Sequence, residues 1–507
     1  MSSVWIIDFG SQYTQLITRK MRELGVASEI ITVETALARM NTEKPRALVL
    51  SGGPQSVFED TTNYGPLFAD KTLPILGVCY GMQILGQFFE GKVEKGLLGE
   101  YGPAEIQGVD GFRIKNCPAK INVWMSHSDH VSKLPIGFKK IFISENGLLA
   151  GMQHESRPVV GLQFHPEVQH TDHGSDILSY FINEVAKLSK DWTGEKMLQN
   201  CLNEVGAVKG QKVLCAFSGG VDSLVAAMAT HKMIGQDLYC FFVDNGLLRP
   251  QDLHHIKVLK EKTPLNIEII DAKAEFLNNL AGVSDPEEKR KIIGRTFIDV
   301  FERKVTQYAK EKGIHFDHLL QGTLYPDVIE SLSPHKKDGK SVTIKSHHNV
   351  GGLPERMKLK LLEPLRWLFK DEVRALGAEL GLVHDWVWRH PFPGPGIGVR
   401  VLGALSEVSI TKVQQSDQIL FEELKAHDLY ASTWQAFTVL LPVKTVGVKG
   451  DGRVYEEVIS LRMVNSQDGM TATVTELPWS FLNKVSARLC NDLNGVTTVP
   501  YDLTSTP

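Results

Sequence analysis

The sequence predicts an α/β protein with an N-terminal doubly wound sheet, a second parallel-sheet unit and a smaller C-terminal α+β region. Three observations carry this. A short apolar run, a Gly- or Ser-rich break and a helical stretch recur from Val4 onward and again from Lys212; strands that alternate with helices imply a mainly parallel sheet covered on both faces. The composition shifts near residue 390, where the prolines of His390-Pro391-Phe392-Pro393-Gly394-Pro395-Gly396 remove backbone donors and fix φ, excluding helix and central strand. Finally, 507 residues at about 150 per domain make roughly three domains. The expected boundaries are 1–190, 191–390 and 391–507.

Taken in order, Val4–Asp8 runs into Phe9-Gly10-Ser11, and Ala47–Leu50 into Ser51-Gly52-Gly53-Pro54. Ile75–Val78 runs into Cys79, and Val159–Phe164 into His165-Pro166-Glu167. All four breaks lie at carboxyl ends of strands, where such sheets place their ligands. A helical stretch, Ile177–Leu188, closes the unit, and Ser189–Gly194 reads as a linker and helix cap. The second unit opens with the strand Lys212–Phe217, the turn Ser218-Gly219-Gly220-Val221-Asp222-Ser223 and an Ala-rich helix. Leu238–Val243 then ends at Asp244-Asn245-Gly246, and His318–Leu320 at Gln321-Gly322-Thr323. The last region mixes strand-like runs (Phe437–Val443, Val454–Met463) with helices (Ser416–Ala426, Pro478–Asn491), the mark of α+β.

Charge and composition exclude several classes. With 55 Lys+Arg against 59 Asp+Glu, a net charge of −4, 42% hydrophobic and 22% charged residues, the chain is ordinary globular material. Near balance argues against a nucleic-acid binder held by phosphate contacts and against a polybasic membrane-surface protein. No apolar run approaches the ~18 residues of a membrane span. Met1–Asp8 lacks a basic n-region and places an acid in its apolar stretch, unlike a secretory signal. Cys79, Cys117, Cys201, Cys215, Cys240 and Cys490 include no CxxC pair. They read as reduced thiols of a cytoplasmic protein rather than a disulfide frame or a zinc site.

Two constellations carry chemistry. In Gly77-Val78-Cys79-Tyr80-Gly81, glycines flank a thiol between strand and helix, so a sharp turn can expose it and the helix N-terminus favours thiolate. A thiolate needs a base, and the base an orienting carboxylate. His165 and Glu167, two apart on an extended segment, point the same way and supply both. The second constellation, Ser218–Ser223, joins a strand to a helix. Its glycines let the backbone approach an anion, and the N–H groups opening the helix point at it. It lacks the Gly-Lys-Ser/Thr ending of a P-loop, which suits chemistry that handles pyrophosphate as one unit.

Gly77–Gln83 with Phe164–Val168 resembles the triad-type glutamine amidotransferases. The resemblance implies that Cys79 attacks the side-chain amide of glutamine, that His165 protonates the departing ammonia and that Glu167 orients His165. It implies an oxyanion hole from the N–H groups of Tyr80 and the Gly52-Gly53 loop, with Gln83, Glu100–Gly102 and Trp124–His127 near the glutamine. That family usually has Gly where Ser128 stands. Ser218–Ser223, continued by Leu224, resembles the pyrophosphate loop of the ATP pyrophosphatases, with Val243 at the adenine-contacting strand end and Gln321–Ser331 as a third matching stretch. ATP demands Mg²⁺, for which Asp222 is the best candidate, and Lys345 and Lys358 are candidates to neutralise the phosphates. His347 and His348 are adjacent, so their side chains diverge and no transition-metal site is expected there.

Across essentially the whole chain, Lys289–Gly294, Ser346–Gly352, Arg389–Gly396 and Val446–Arg453 resemble the glutamine-hydrolysing GMP synthases. The resemblance implies amination of xanthosine 5′-monophosphate (XMP) through an adenylylated intermediate, and a C-terminal domain that forms a homodimer and completes the XMP site. Arg290, Pro393, Gly394, Arg400, Lys449 and Arg453 are the XMP candidates, since arginine suits a doubly charged phosphate. Ammonia must stay unprotonated to react, so the two half-reactions are expected to communicate. That family ends in K-P-P-x-T-I-E-W-E, whereas here Thr506 stands at the lysine and Thr498 where arginine is usual, so weaker XMP binding than in a full-tailed relative is expected. Two other readings remain open at this point: a ligase for another acceptor, such as a NAD-type carboxylate, and a nucleotide-binding relative without turnover.

Overall fold

The computed structural model describes residues 3–332, 356–390, 394–449, 451–466 and 472–504. The chain forms two compact units, Met1–Lys196 and Met197–Pro507. Among the described residues, no helix is long and apolar enough to cross a membrane.

The first unit is built on nine strands: β1 (Val4–Asp8), β2 (Ser28–Thr32), β3 (Ala47–Leu50), β4 (Ile75–Val78), β5 (Lys92–Gly108), β6 (Lys120–Lys133), β7 (Phe138–Ser144), β8 (Leu149–His154) and β9 (Val159–Leu162). Their order is β2-β1-β3-β4-β9-β8-β7-β5-β6. The first five in that order are parallel, and β8, β7, β5 and β6 are antiparallel. The parallel strands β3, β4 and β9 are buried along their whole length, as expected of strands covered on both faces. The antiparallel ribbon was not visible as continuous apolar runs. Residues along β6 alternate between exposed and buried, the period-2 pattern of a half-solvated strand. So the sheet is mixed, and its parallel half carries the strand ends singled out above. The expected helix Ile177–Leu188 is instead an α-helix, Gly174–Tyr180, continued by a π-helical turn, Phe181–Val185.

The second unit holds a five-stranded parallel sheet of β10 (Val213–Ala216), β11 (Leu238–Asp244), β12 (Asn266–Asp271), β13 (His318–Leu320) and β14 (Lys360–Leu362), in the order β12-β11-β10-β13-β14. Its longest helix, Pro286–Lys312, starts on an Asp285 side-chain cap and stops at Gly313 in the left-handed conformation, the usual signals at either end. Beyond it, β15 (Gln435–Lys449) and β16 (Gly452–Asn465) form a long antiparallel hairpin; β17 (Thr473–Val474) and β18 (Val496–Thr498) both pair with β16. Phe241, Phe276 and Phe301 from the parallel-sheet region share one hydrophobic cluster with Ile410, Leu420, Ile459 and Phe481. That shared core explains why the residues on both sides of position 390 form a single compact unit.

Candidate active sites

Cys79 joins β4 to the helix Tyr80–Phe88, and its own backbone makes the turn at φ 52°, ψ −104°. For a non-glycine residue this costs on the order of 1–3 kcal/mol. The flanking glycines serve close approach rather than positive φ. A Cβ on Gly77 would stand 2.6 Å from the Gly81 carbonyl oxygen, and one on Gly81 would be driven into the carbonyl of Leu50. The Cys79 N–H donates to Leu162 at 2.7 Å, pinning the elbow to β9. Beyond β9, His165 Nδ1 lies 2.6 Å from Glu167 Oε1, with both side chains buried. Burial opposes the imidazolium, but the Glu167 charge, together with hydrogen bonds to Cys79 and Glu167, holds the His165 pKa well above its ordinary value. The Cys79 thiol also faces the Ser126 carbonyl at 3.5 Å. Such a set can sustain a thiolate–imidazolium pair.

The surroundings hold this centre in place. A Cβ on Gly52 would come within 3.0 Å of His165 Cε1, so the Gly52-Gly53 loop lies against the base. The Tyr80 N–H donates to no protein acceptor among the described residues. The Tyr80 hydroxyl donates to Asp60 at 2.7 Å, and Tyr64 donates to the same carboxylate. Burial opposes the Asp60 charge, yet these donors hold its pKa below the usual carboxylate range. Gln83 Nε2 donates to the Asp129 carbonyl at 2.7 Å, so it steadies β6. Glu100 takes hydrogen bonds from Ser144 at 2.9 Å and Asn146 at 2.8 Å and lies 3.1 Å from His127. Ser128 lies within β6 and has no positive φ, so the strand does not require glycine there. No sequence pattern marks Thr171. Its buried hydroxyl accepts the Trp124 N–H at 2.9 Å and donates to the His165 carbonyl at 2.6 Å, while the His165 N–H donates to the Trp124 carbonyl at 3.0 Å.

In the second unit, Ser218–Gly220 connect β10 to the helix Val221–Ile234. Gly219 has φ 73°, and a Cβ there would collide with Ile256. Ser218 and Ser223 hydroxyls meet at 2.9 Å, and the Gly220 N–H donates to Ser218 at 3.3 Å. Val221 and Leu224 are buried behind the loop, and Val243 is buried at the end of β11. Asp222 sits at the helix start. One carboxylate oxygen pairs with Lys370, and the other is buried with no hydrogen-bond partner among the described residues. Gly322 packs directly on Asp222, where a Cβ would be 3.0 Å from its backbone. Nothing local in the sequence ties Lys370, a lysine at a helix start, to a loop so far back. His255, behind Gly219, has its pKa lowered to about 4 by burial and by Arg389.

The expected XMP contacts fall in different places. Gly394 is exposed, and two residues on, Gly396 packs so closely on the Leu247 carbonyl that a Cβ would not fit; the Ile397 N–H donates to that carbonyl at 2.8 Å. This brings the proline-rich segment to the end of β11. Arg290 is half-buried and paired with Glu287 at 2.8 Å. Arg400 is buried 2.8 Å from Asp417 and lies over the Phe437 ring, so its charge is already balanced inside the unit. Arg453 is exposed near the hairpin tip, and Thr498 lies 2.6 Å from the Thr445 hydroxyl. Lys358 has φ 56° just before β14. Lys345, His347, His348, Pro393, the Lys449 side chain and Thr506 lie outside the described residues. Lys289, next to Arg290, is fully buried and donates to the carbonyls of Val401 at 2.6 Å and Gly403 at 2.5 Å.

Residues 5–185 match the family model described as glutamine amidotransferase class-I, and residues 422–507 match the GMP synthase C-terminal domain. The whole chain is similar to the GMP synthase (glutamine-hydrolyzing) of Thermosipho melanesiensis, with 48% identity over 509 residues, covering 100% of this chain and 99% of that protein. The enzymes of the same description from Thermosipho africanus and Chlorobium chlorochromatii are each 47% identical, with the same coverage.

Proposed function

The chain belongs to the glutamine-hydrolysing GMP synthases, and from that premise we propose how its residues divide the work. GMP synthesis with glutamine as amide donor is the family's activity, which selects the purine acceptor over a carboxylate acceptor and turnover over mere nucleotide binding. In our reading Cys79 attacks the glutamine side-chain carbonyl, the oxyanion forms against the N–H groups of Tyr80 and Gly53, and His165 passes its proton to the leaving ammonia. Glu167 orients the ring, and water then releases glutamate from Cys79. The second half takes ATP and XMP. The loop Ser218–Ser223 holds the outer two phosphates, the XMP carbonyl oxygen attacks the α-phosphorus, and pyrophosphate leaves. Ammonia then displaces AMP from the adenylylated carbon to give GMP.

The observation that carries the first half is the 2.6 Å contact between His165 and Glu167 beside the strained Cys79 turn. For the second it is Asp222, whose buried oxygen beside Lys370, unpartnered among the described residues, suits a hard cation. Asp222 would hold Mg²⁺, which supplies charge neutralisation at the phosphates. Lys345, Lys358 and Lys370 are the lysines we assign to the departing pyrophosphate. We keep the three-domain division 1–190, 191–390 and 391–507, with Arg290, Pro393, Gly394, Arg400, Lys449 and Arg453 as XMP-side candidates. Arg400 acts in this scheme by positioning its loop through Asp417. A cytoplasmic homodimer completes the proposal. The test is product analysis from XMP, ATP and glutamine: AMP and pyrophosphate should rise together with GMP, and ADP with phosphate would refute the loop assignment.

A further inference from the structure

The scattered cysteines gave no zinc pattern in sequence, yet folding brings one of them to two other donors. Cys117 lies in the connection between β5 and β6, where its N–H donates to Ile114 at 3.0 Å. His173 precedes the helix Gly174–Tyr180, and Asp176 lies in that helix's first turn. One donor atom from each of the three lies within 4.8 Å of the other two, the single such group among the described residues. From this juxtaposition we propose that Cys117, His173 and Asp176 form a site for a divalent transition-metal ion of zinc's size and softness, separate from the catalytic thiol.

The donor set fits that ion. Thiolate, imidazole and carboxylate are the common zinc ligands, at about 2.3 Å for sulfur and about 2.0–2.2 Å for nitrogen and oxygen. Neighbouring donors of such a tetrahedron stand roughly 3.3–3.6 Å apart. His173 Nδ1 and Asp176 Oδ2 already stand 3.1 Å apart, so the thiol, within 4.8 Å of both, is the donor that has to close in. Thiolate and carboxylate together balance a divalent charge. Cation binding would displace the proton of the Cys117 thiol, since the thiolate is the metal ligand. The imidazole is 38% exposed and the carboxylate 35%, leaving an entry path and room for a water as fourth ligand. The ion would tie the β5–β6 connection to the segment that leaves the active site through Thr171. Asp172 already bonds Asn122 there, backbone to backbone at 2.9 Å.

Cobalt(II) is the probe, added to the full chain. The expected result is one equivalent bound with a sulfur-to-cobalt charge-transfer band that zinc abolishes. The band should persist in Cys79→Ala, vanish in Cys117→Ser, and require at least tenfold more cobalt in His173→Ala. Zinc should also raise the thermal midpoint of the wild-type chain and leave that of Cys117→Ser unmoved. Unchanged glutaminase activity in Cys117→Ser and His173→Ala checks that both fold. A band lost with Cys79 and kept without Cys117, or no band in the wild type, overturns the site.

Discussion

A histidine as deeply buried as His165 would give up its proton if burial acted alone; the Glu167 carboxylate and Cys79 reverse that and raise its pKa well above the ordinary 6.5. The sign of two effects follows. The folded chain gains stability from this proton below the unfolded value near 6.5 and loses the gain as pH rises through the raised folded value. Catalysis by a thiolate–imidazolium pair fails when the imidazolium deprotonates, so the basic limb of glutamine hydrolysis reports the same group. Glu167→Gln is expected to move that limb to lower pH in a kcat/KM profile; an unmoved limb would mean that Glu167 does not hold the proton on His165. Cys79→Ala should abolish glutamine-dependent GMP formation while turnover with added ammonium salts persists, and joint loss would mean the two chemistries are not separable. Thr171→Val removes the hydroxyl bridge between Trp124 and His165 and leaves buried backbone groups unpaired, at about 1–3 kcal/mol. Glutaminase kcat should fall with KM for glutamine little changed, and Thr171→Ser should restore it.

At the scale of elements, the two loops that carry the chemistry use glycine differently. Gly77 and Gly81 are needed because strand, turn and helix touch backbone to backbone, with the unusual φ assigned to Cys79 itself. Gly219 is needed for its own φ of 73° and for contact with Ile256. Gly219→Ala should therefore raise KM for ATP, with about 1–2 kcal/mol of left-handed strain to relieve, and leave glutamine hydrolysis alone; equal losses in both activities would count against a phosphate-specific role. Both loops were legible in the sequence because strand, glycine turn and helix are contiguous. The ribbon β5–β8 was not, since half-exposed strands alternate and lack the apolar runs that mark buried ones. Lys370 on Asp222 and Thr171 on His165 were invisible for another reason: each is defined by what it touches after folding. Residue type makes Arg400 a candidate for a phosphate or for an ion pair alike, and only packing against Asp417 identifies its partner within the fold.

For the whole molecule, the C-terminal hairpin poses the question of what covers it. Val446 pairs with Tyr455 and Val448 with Arg453 across β15 and β16, so these side chains share one face. Val446 is 59% exposed, Tyr455 67% and Val448 73%. The other face is occupied, since Thr445 and Gly447 meet Thr497 and Thr498 of β18. An apolar stripe on an otherwise polar ribbon is a surface that a second copy of the chain can bury. If this face makes the homodimer and the dimer completes the XMP site, a charge in its centre separates the two half-reactions. Val448→Asp should sediment as a monomer at concentrations where the wild type is a dimer. Its XMP-dependent turnover should fall, with ammonia as well as with glutamine, because the acceptor site rather than the ammonia source is damaged. A Val448→Asp chain that remains dimeric with full activity would place the dimer contact elsewhere, and the stripe would need a different partner.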